Sequence, residues 1–307
     1  MRILLQMPGR DAESWRMALA EALPEAQLMV WPDVPGDPDY MLVWRPPGEL
    51  FATVKAPKAI FNLGAGVDAL LAVPTLPCDV PVIRLTDAGM AEQMAEYATF
   101  AVLRAYREMH AYEAQQRDAR WQPRPRLAKA EFGVGLMGFG VLGQAIATAL
   151  APFGFPLAGW SRTRKSVAGM ATFAGRDELP AFLSRAKVLV CTLPSTPDTM
   201  GILDARALMQ LPEGAHVVNI ARGELVVDAD LLSLLDAGQI AGATLDVFRS
   251  EPLPADHPFW HHPRVTVTPH VSAVTLIPDS IAQVASGIRR FEQGLAVAGQ
   301  VDRQCGY

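Results

Sequence analysis

The stretch Glu131–Phe153 contains the sequence feature that most constrains the fold. Its apolar run Phe132–Met137 has the length of a buried strand, and its Ala-rich remainder is typical of a helix. Between the two, glycines stand in the spacing G-x-G-x-x-G at Gly138, Gly140 and Gly143. A turn of this kind between a strand and a helix favours dinucleotide binding, and a methyltransferase-type nucleotide site is the main alternative.

Each glycine of this turn has a separate physical reason. Gly138 allows the sharp turn, Gly140 lets a pyrophosphate approach the backbone, and Gly143 lets the helix pack closely on the strand. The N–H groups at the start of the following helix carry the positive end of the helix dipole. The same pattern is compatible with an ordinary strand–helix turn, so the flanking elements decide the interpretation.

Length and charge restrict the class of protein. The chain has 307 residues, a length that predicts about two domains. A net charge of −5 without a basic cluster argues against nucleic-acid binding. We expect no membrane span, no secretory signal in the short apolar N-terminus and no metal site. The widely spaced Cys78, Cys191 and Cys305 favour free thiols in a reducing cytoplasm.

The first part of the chain alternates short strands with helices, a pattern that predicts a small parallel α/β domain. The predicted elements are strands at Arg2–Met7, Met41–Arg45, Ala59–Leu63 and Val82–Leu85, a helix at Asp11–Leu23, and one long helix from Met90 to about Arg120. The Pro- and Arg-containing stretch Trp121–Leu127 is typical of an exposed linker.

After the glycine turn, strands and helices alternate regularly. The predicted strands are Phe132–Met137, Pro156–Trp160, Val188–Leu193, Ala215–Ile220, Ala241–Val247 and Val265–Thr268, with helices such as Asp204–Gln210 and Asp228–Ala237 between them. Six strands with crossover helices indicate a doubly wound sheet. The last helix, Pro278–Gly294, is amphipathic and is expected to pack on the first domain.

These elements predict an α/β protein with two doubly wound parallel-sheet domains. One is a Rossmann-type cofactor domain at residues 98–277. The other is a smaller, flavodoxin-like substrate domain formed by residues 1–97 with 278–307. A cleft between the two domains is expected to hold the substrate.

The residues after the second strand of the cofactor domain bear on the choice of cofactor. NAD-binding sheets have an acid there, which binds the ribose hydroxyls. Here the segment is Ser161-Arg162-Thr163-Arg164-Lys165, with three cations and no acid. Because an Arg fork pairs well with a phosphate, the segment predicts NADP(H), with NAD(H) still possible. A solvated basic loop is the alternative.

Three residues have the placement and chemistry for carbonyl reduction, because each follows a strand of the predicted sheet. Arg222 can grip a carboxylate or carbonyl oxygen, and His270 can protonate the oxygen as hydride arrives. Glu251 would favour the imidazolium form of that histidine. Taken singly, each residue has a structural alternative. The alternatives are a loop salt bridge for Arg222, a helix cap for Glu251, and a core position with satisfied hydrogen bonds for His270.

Several motifs together make the chain resemble the D-isomer-specific 2-hydroxyacid dehydrogenases. These motifs are Asn219-Ile220-Ala221-Arg222-Gly223-Glu224-Leu225-Val226, Leu245-Asp246-Val247-Phe248 with Glu251-Pro252, and Thr268-Pro269-His270. Further stretches are similar to members that reduce glyoxylate and hydroxypyruvate, namely Trp44-Arg45-Pro46-Pro47, Asp87-Ala88-Gly89-Met90 and Trp160-Ser161-Arg162. The resemblance covers nearly the whole chain.

The resemblance implies roles for further residues. Val141 and Leu142 would offer amides to the pyrophosphate, and Asp246 would hold the nicotinamide carboxamide. Leu193, Pro194, Ile220 and Ala221 would line the cofactor cleft. On the substrate side, Trp44 and Arg45 would stand over a small acid, and the loop Gly64-Ala65-Gly66-Val67-Asp68 would hold its carboxylate.

The resemblance further implies a homodimer formed through the cofactor domains, with Trp121 reaching the active site of the partner. The leading hypothesis is a reductase that uses NADPH to convert glyoxylate or hydroxypyruvate to glycolate or D-glycerate. A broader 2-keto acid reductase, or a dehydrogenase that oxidises a larger substrate, is the first alternative. A non-enzymatic, corepressor-like protein that senses dinucleotide is the second.

Overall fold

The computed structural model describes residues 1–7 and 12–307. The described chain forms two compact units. The terminal unit consists of Met1–Met90 with Val274–Tyr307, and the central unit is Ala91–Ala273. The sequence places the corresponding domain boundaries after residues 97 and 277.

The strands in chain order are β1 (Arg2–Gln6), β2 (Gln27–Val30), β3 (Tyr40–Val43), β4 (Ala59–Asn62), β5 (Val82–Arg84), β6 (Val134–Met137), β7 (Leu157–Ser161), β8 (Ala171–Ala174), β9 (Val188–Cys191), β10 (Ala215–Asn219), β11 (Ile240–Leu245) and β12 (Val265–Val267). The α-helices are α1 (Ala12–Ala22), α2 (Gly48–Thr53), α3 (Asp68–Leu71), α4 (Met90–Tyr106), α5 (Met109–Arg117), α6 (Val141–Leu150), α7 (Leu179–Leu183), α8 (Ala205–Leu208), α9 (Asp228–Asp236) and α10 (Ile277–Glu292). The predicted first residue of the first helix, Asp11, lies outside the described residues.

The terminal unit is built on a parallel sheet in the order β2-β1-β3-β4-β5. Every residue of β3 and β4 is buried, as expected for strands covered by helices on both faces. The C-terminal helix α10 belongs to this unit. Arg289 of α10 donates from Nη2 to the Ala22 carbonyl at 2.6 Å, and Tyr40 Oη donates to Glu292 Oε1 at 2.6 Å.

The central unit is built on a parallel sheet in the order β12-β11-β10-β9-β6-β7-β8. This confirms the doubly wound arrangement, but the described residues of this unit contain seven strands rather than the predicted six. The additional strand is β8, whose residues are exposed or only partly buried. A short edge strand of this kind lacks the apolar run by which buried strands are found in a sequence.

The register of the central sheet brings the strand ends together at one edge. Met137 of β6 lies beside Trp160 of β7 and Cys191 of β9. On the other side, Asn219 of β10 lies beside Cys191 and Leu245. Because all these pairings are parallel, the loops that follow the strands emerge at the same edge, where ligands bind in such sheets.

The single long helix predicted from Met90 to about Arg120 is wrong. The chain leaves helical geometry between α4 and α5, where Glu108 has a left-handed backbone with φ 51°. Arg124 pairs with the Glu108 carboxylate at 2.6 Å, and Arg104 pairs with Glu113 across the break. No glycine or proline marks the position, so these later contacts favour a break that local helix signals do not announce.

None of the helices in the described residues is long and apolar enough to cross a membrane.

Candidate active site

The glycine turn between β6 and α6 has the geometry that its spacing predicts. Gly138 has a φ of 107°, a conformation that L side chains rarely adopt. A Cβ atom on Gly143 would overlap with the Gly138 carbonyl oxygen, whereas a Cβ on Gly140 would meet nothing within 4 Å. The turn therefore leaves open space beside the Gly140 backbone, and Gly143 provides the close packing.

Helix α6 starts at this turn. Gly140 is its N-cap, and Val141 follows as a residue that is 57% exposed. The first N–H groups of a helix have no intrahelical acceptor, so the Val141 and Leu142 amides are suited to an anion. Leu193, Ile220 and Ala221 are buried after β9 and β10, and Pro194 is half-buried.

The segment predicted to bind the 2′-phosphate of NADP(H) follows β7 as an exposed loop. Ser161 Oγ donates to the Thr163 carbonyl at 2.8 Å, and Arg162 and Lys165 are exposed. Arg164 donates from Nη1 to the Thr172 carbonyl at 3.0 Å and pairs through Nη2 with Glu178. Three cations thus lie on this corner, and Glu178 partly neutralises Arg164.

Glu178 is an acid at this corner that the local sequence does not reveal. Its Oε2 accepts the Ala174 N–H at 2.8 Å, and its Oε1 accepts from Arg164. The backbone bond from Ala174, followed by the Arg164 guanidinium, lowers the pKa of the Glu178 carboxyl. An anion here reduces the positive charge available to a phosphate.

His270 and Glu251 are brought together in the central unit. His270 Nδ1 lies 2.8 Å from Glu251 Oε2, and Glu251 Oε1 accepts the Phe248 N–H at 3.1 Å. Because a carboxylate accepts hydrogen bonds, Nδ1 carries the hydrogen of this bond. That leaves Nε2 as the nitrogen that can exchange a proton with a ligand.

Arg222 extends from the loop that follows β10, next to β11 in the sheet. The amide of Asn219 donates to the Arg222 carbonyl at 2.8 Å, and its oxygen accepts the Ala221 N–H at 3.2 Å. Arg222 Nη1 donates to the Ala221 carbonyl at 2.7 Å. The buried Asn219 therefore shapes the loop that carries the arginine.

Asp246 is fully buried directly after β11, and it binds the loop that contains His270. Its Oδ1 accepts from Thr268 Oγ1 at 2.6 Å and from the Val271 N–H at 2.8 Å. Its Oδ2 accepts the Ser272 N–H at 2.8 Å. The Asp246 carboxylate therefore orders this loop. Its contact to a nicotinamide carboxamide stays a prediction.

Trp44 and Arg45 follow β3 in the terminal unit. Arg45 has a left-handed backbone with φ 45°, and its guanidinium carbon lies 5.7 Å from the centre of the Trp44 ring. The ring also packs on Gly64, where a Cβ atom would overlap with it. The predicted strand end at Arg45 is wrong, since β3 ends at Val43 and Arg45 turns out of the sheet.

The predicted carboxylate loop follows β4, the neighbour of β3. Asn62 donates from Nδ2 to the Gly64 and Gly66 carbonyls, both at 2.9 Å. These bonds hold the carbonyls on the Asn62 side of the turn. Ala65 and Gly66 are partly exposed. Their role in holding a substrate stays a prediction.

The structure adds residues that the sequence alone does not assign to the site. They are Asn62, Tyr97, Glu178, Asn219 and Thr268. Asn219 and Thr268 belong to recognised motifs, so their neighbours mark them. Tyr97 has no such signal because Thr268 is 171 residues away, and Glu178 has none because β8 separates it from Arg164.

Comparisons with known proteins identify the family of this chain. Residues 99–272 match the model of the D-isomer specific 2-hydroxyacid dehydrogenase NAD binding domain. A relative over the full length of both chains is glyoxylate/hydroxypyruvate reductase A of Escherichia fergusonii, at 48% identity over 313 residues.

Two solved structures resemble the whole chain. One is a D-isomer specific 2-hydroxyacid dehydrogenase from Xanthobacter autotrophicus Py2 in complex with NADPH and MES. It has a TM-score of 0.95 and 42% identity, over 100% of this chain and 99% of that one. The other is the NADPH-dependent glyoxylate/hydroxypyruvate reductase of Sinorhizobium meliloti in complex with NADP and sulfate. It has a TM-score of 0.93 and 37% identity, over the same shares of both chains.

The match of the family model spans more than half of the chain and contains the glycine turn, Arg222, Glu251 and His270. The relatives match the remainder, including the terminal unit. This chain belongs to the family of D-isomer specific 2-hydroxyacid dehydrogenases.

Proposed function

We propose that this protein reduces glyoxylate and hydroxypyruvate to glycolate and D-glycerate, with NADPH as the reductant. The observation that carries the proposal is the 2.8 Å bond between His270 Nδ1 and Glu251 at the sheet edge that also presents the glycine turn. The activity named for the Escherichia fergusonii and Sinorhizobium meliloti relatives supports the choice of substrates.

The residues of the central unit divide the task. Glu251 holds Nδ1 of His270, so that Nε2 delivers a proton to the substrate oxygen. Arg222 binds the carboxylate or carbonyl oxygen and stabilises the negative charge that develops there. From the terminal unit, the backbone at Ala65 and Gly66 binds the carboxylate, and Trp44 and Arg45 restrict the size of the acid.

The chain has features that fit the phosphate groups of NADPH. The open space at Gly140 admits a pyrophosphate to the backbone, and the Val141 and Leu142 amides can bind it. Ser161, Arg162, Arg164 and Lys165 form a corner suited to the 2′-phosphate. When bound, NADPH supplies the hydride.

The activity is tested by NADPH oxidation at 340 nm with glyoxylate, hydroxypyruvate, pyruvate and a branched 2-keto acid. We expect kcat/KM for the first two to exceed that for the others by about 10-fold or more, as a small pocket demands. His270→Ala should lose turnover and still bind NADPH. Preference for the branched acid would contradict the substrate assignment, and absence of turnover with every acid would contradict the reductase itself.

The cofactor preference has a separate test. Replacing Arg162 and Arg164 with Ala should raise the KM for NADPH by about 10-fold or more, because each lost charge-assisted contact weakens phosphate binding. The KM for NADH should change little. Equal effects on both cofactors would contradict the 2′-phosphate assignment.

We further propose a homodimer in which Trp121 approaches the partner. Trp121 is 98% exposed, and every residue from 116 to 131 is exposed. A tryptophan that is almost wholly exposed supports coverage by another chain, because burial of its large apolar surface is favourable. Light scattering should show a dimer, and Trp121→Ala should lower kcat/KM for the keto acid. A monomer with full activity would contradict this proposal.

A reducing, cytoplasmic location is proposed on the basis of the thiols. Cys78, Cys191 and Cys305 are all free, and Cys78 is exposed. Exposed thiols persist where reductants keep them from oxidation. Recovery of the active enzyme from an oxidising compartment of its cell would contradict this location.

A further inference from the structure

The backbone of His270 has a conformation that requires support. Its φ is 55°, in the left-handed region that residues other than glycine rarely adopt. The His270 N–H donates to the Asp246 carbonyl at 2.8 Å and to the Thr268 carbonyl at 3.1 Å. A residue stays in such a conformation only where its surroundings hold it, so the neighbours of this loop determine where the imidazole lies.

The Asp246 side chain is the centre of that support. It is fully buried, and its carboxylate accepts hydrogen bonds from Thr268 Oγ1, the Val271 N–H and the Ser272 N–H. These donors stand on both sides of His270 in the chain. The loop of His270 is therefore bound around the Asp246 carboxylate, and the position of this carboxylate determines the position of the histidine backbone.

The Thr268 hydroxyl links this carboxylate to helix α4. Thr268 Oγ1 also lies 2.6 Å from Tyr97 Oη. A hydroxyl has one hydrogen, and that of Thr268 is donated to Asp246. Tyr97 must therefore be the donor of the second bond. Burial raises the pKa of the Tyr97 phenol, which keeps the group protonated and able to donate.

We propose that Tyr97 is a positioning residue for proton transfer, acting through Thr268 and Asp246 on the backbone of His270. The proposal rests on the proposed function, in which His270 is the proton donor. Tyr97 touches neither Glu251 nor His270 through any described contact, and its effect is transmitted by the chain of hydrogen bonds. Buried networks of this kind lose much of their rigidity when one member is removed.

The same helix contains a matched control. Tyr106 of α4 donates from Oη to the Leu127 carbonyl at 3.0 Å and is 8% exposed. Tyr106→Phe removes a phenol hydroxyl and one hydrogen bond, as Tyr97→Phe does. Leu127, which accepts the bond from Tyr106, has no described bond to the loop of His270. A general weakening of α4 would therefore appear in both variants.

The experiment compares Tyr97→Phe, Thr268→Val and Tyr106→Phe with the wild type. We expect kcat for glyoxylate reduction to fall about 3- to 10-fold in the first two, because one hydrogen bond of the chain is lost. The KM for NADPH should stay within about twofold, since the phosphate-binding residues are untouched. Thr268→Ser keeps the hydroxyl and should retain kcat within about twofold of the wild type.

A second readout does not depend on activity. Amide hydrogen exchange of the peptide covering 268–272 should be about 3- to 10-fold faster in Tyr97→Phe and Thr268→Val, and unchanged in Tyr106→Phe. Unaltered exchange in Tyr97→Phe, or equal losses of kcat in Tyr97→Phe and Tyr106→Phe, would overturn the proposal. If the wild type reduces no keto acid, the proposed function fails, while the exchange measurement still decides whether Tyr97 orders the loop.

Discussion

At the scale of single residues, the bond between His270 Nδ1 and Glu251 Oε2 gives the two ring nitrogens different tasks. One nitrogen is held by the carboxylate at 2.8 Å, and the other is left to exchange a proton with a ligand. Glu251 is itself oriented by the Phe248 N–H. The carboxylate thus fixes both the tautomer and the direction of the ring, as carboxylate partners of functional histidines commonly do.

This arrangement predicts the behaviour of Glu251→Gln. A glutamine side chain can present its amide N–H as well as its oxygen to His270, so it holds Nδ1 and the direction of the ring less firmly than the carboxylate does. We expect kcat to fall about 10- to 100-fold, a part of the roughly 100- to 10,000-fold that a positioned proton donor contributes. The measurement is kcat for glyoxylate reduction.

The matched control for this variant is Glu213→Gln. Glu213 is an exposed acid of the same unit, just before the amino end of β10. Its replacement removes the same charge at the edge of the sheet opposite to His270. If Glu251→Gln keeps the kcat of the wild type, as Glu213→Gln is expected to do, Glu251 does not position His270 for the reaction.

At the scale of elements, the glycine turn joins two different requirements in six residues. Gly143 has no room for a side chain, because a Cβ atom there would overlap with the Gly138 carbonyl oxygen. Gly140 has room, and nothing in the described protein occupies it. Gly143 is required by the packing of α6 on β6, and Gly140 is required by the ligand that approaches the turn.

Two alanine substitutions separate these requirements. Gly143→Ala should lower the free energy of unfolding by about 1–3 kcal/mol, the usual penalty for overpacking. Gly140→Ala should leave it nearly unchanged and raise the KM for NADPH by about 10-fold or more, because the methyl group stands where the pyrophosphate approaches. Urea denaturation and initial rates measure the two effects. A destabilised Gly140→Ala with normal NADPH binding would contradict this division of roles.

At the scale of the whole molecule, the stability of the protein should depend on pH through a histidine far from the catalytic edge. The ring of His216, near the amino end of β10, lies 5.2 Å from the ring of His110 on α5. Burial, aided by the charges of His110, Lys187 and Arg104, lowers the pKa of His216 to about 3. Burial also lowers the pKa of His110.

The sign of the effect follows from proton linkage. Between pH 6.5 and about 3 the unfolded chain binds a proton at His216 that the folded chain does not. Stability is therefore fully present above pH 6.5 and is lost as the pH falls through this window, by at most about 1.4 kcal/mol per pH unit for one proton.

The variant His216→Gln cannot take up this proton. Urea denaturation of both proteins at pH 7, 6 and 5 should show a steeper loss of stability for the wild type, by up to about 1 kcal/mol per unit. His262→Gln is the control, because it makes the same replacement at a different histidine. The ring of His262 is paired with the exposed Asp236 at 3.3 Å and has no described contact with another histidine. Parallel curves for wild type and His216→Gln would contradict the linkage.

The sequence alone determined the parts of this protein that depend on neighbours in the chain. The glycine turn was predictable because its strand, its three glycines and its helix are consecutive. The positions of Arg222, Glu251 and His270 at strand ends were predictable because apolar runs mark where buried strands stop. The doubly wound class followed from the alternation of strands and helices, and the parallel sheets of the structure confirmed it.

The tertiary structure alone decided the contacts between distant segments. Glu178 lies on Arg164, and Tyr97 lies on Thr268, although 171 residues separate the latter pair. The edge strand β8 and the break at Glu108 also depend on partners elsewhere in the chain. Hydrogen-bond partners are selected by the packing of helices on the sheet, and a polar side chain carries no local signal of which distant group it will meet.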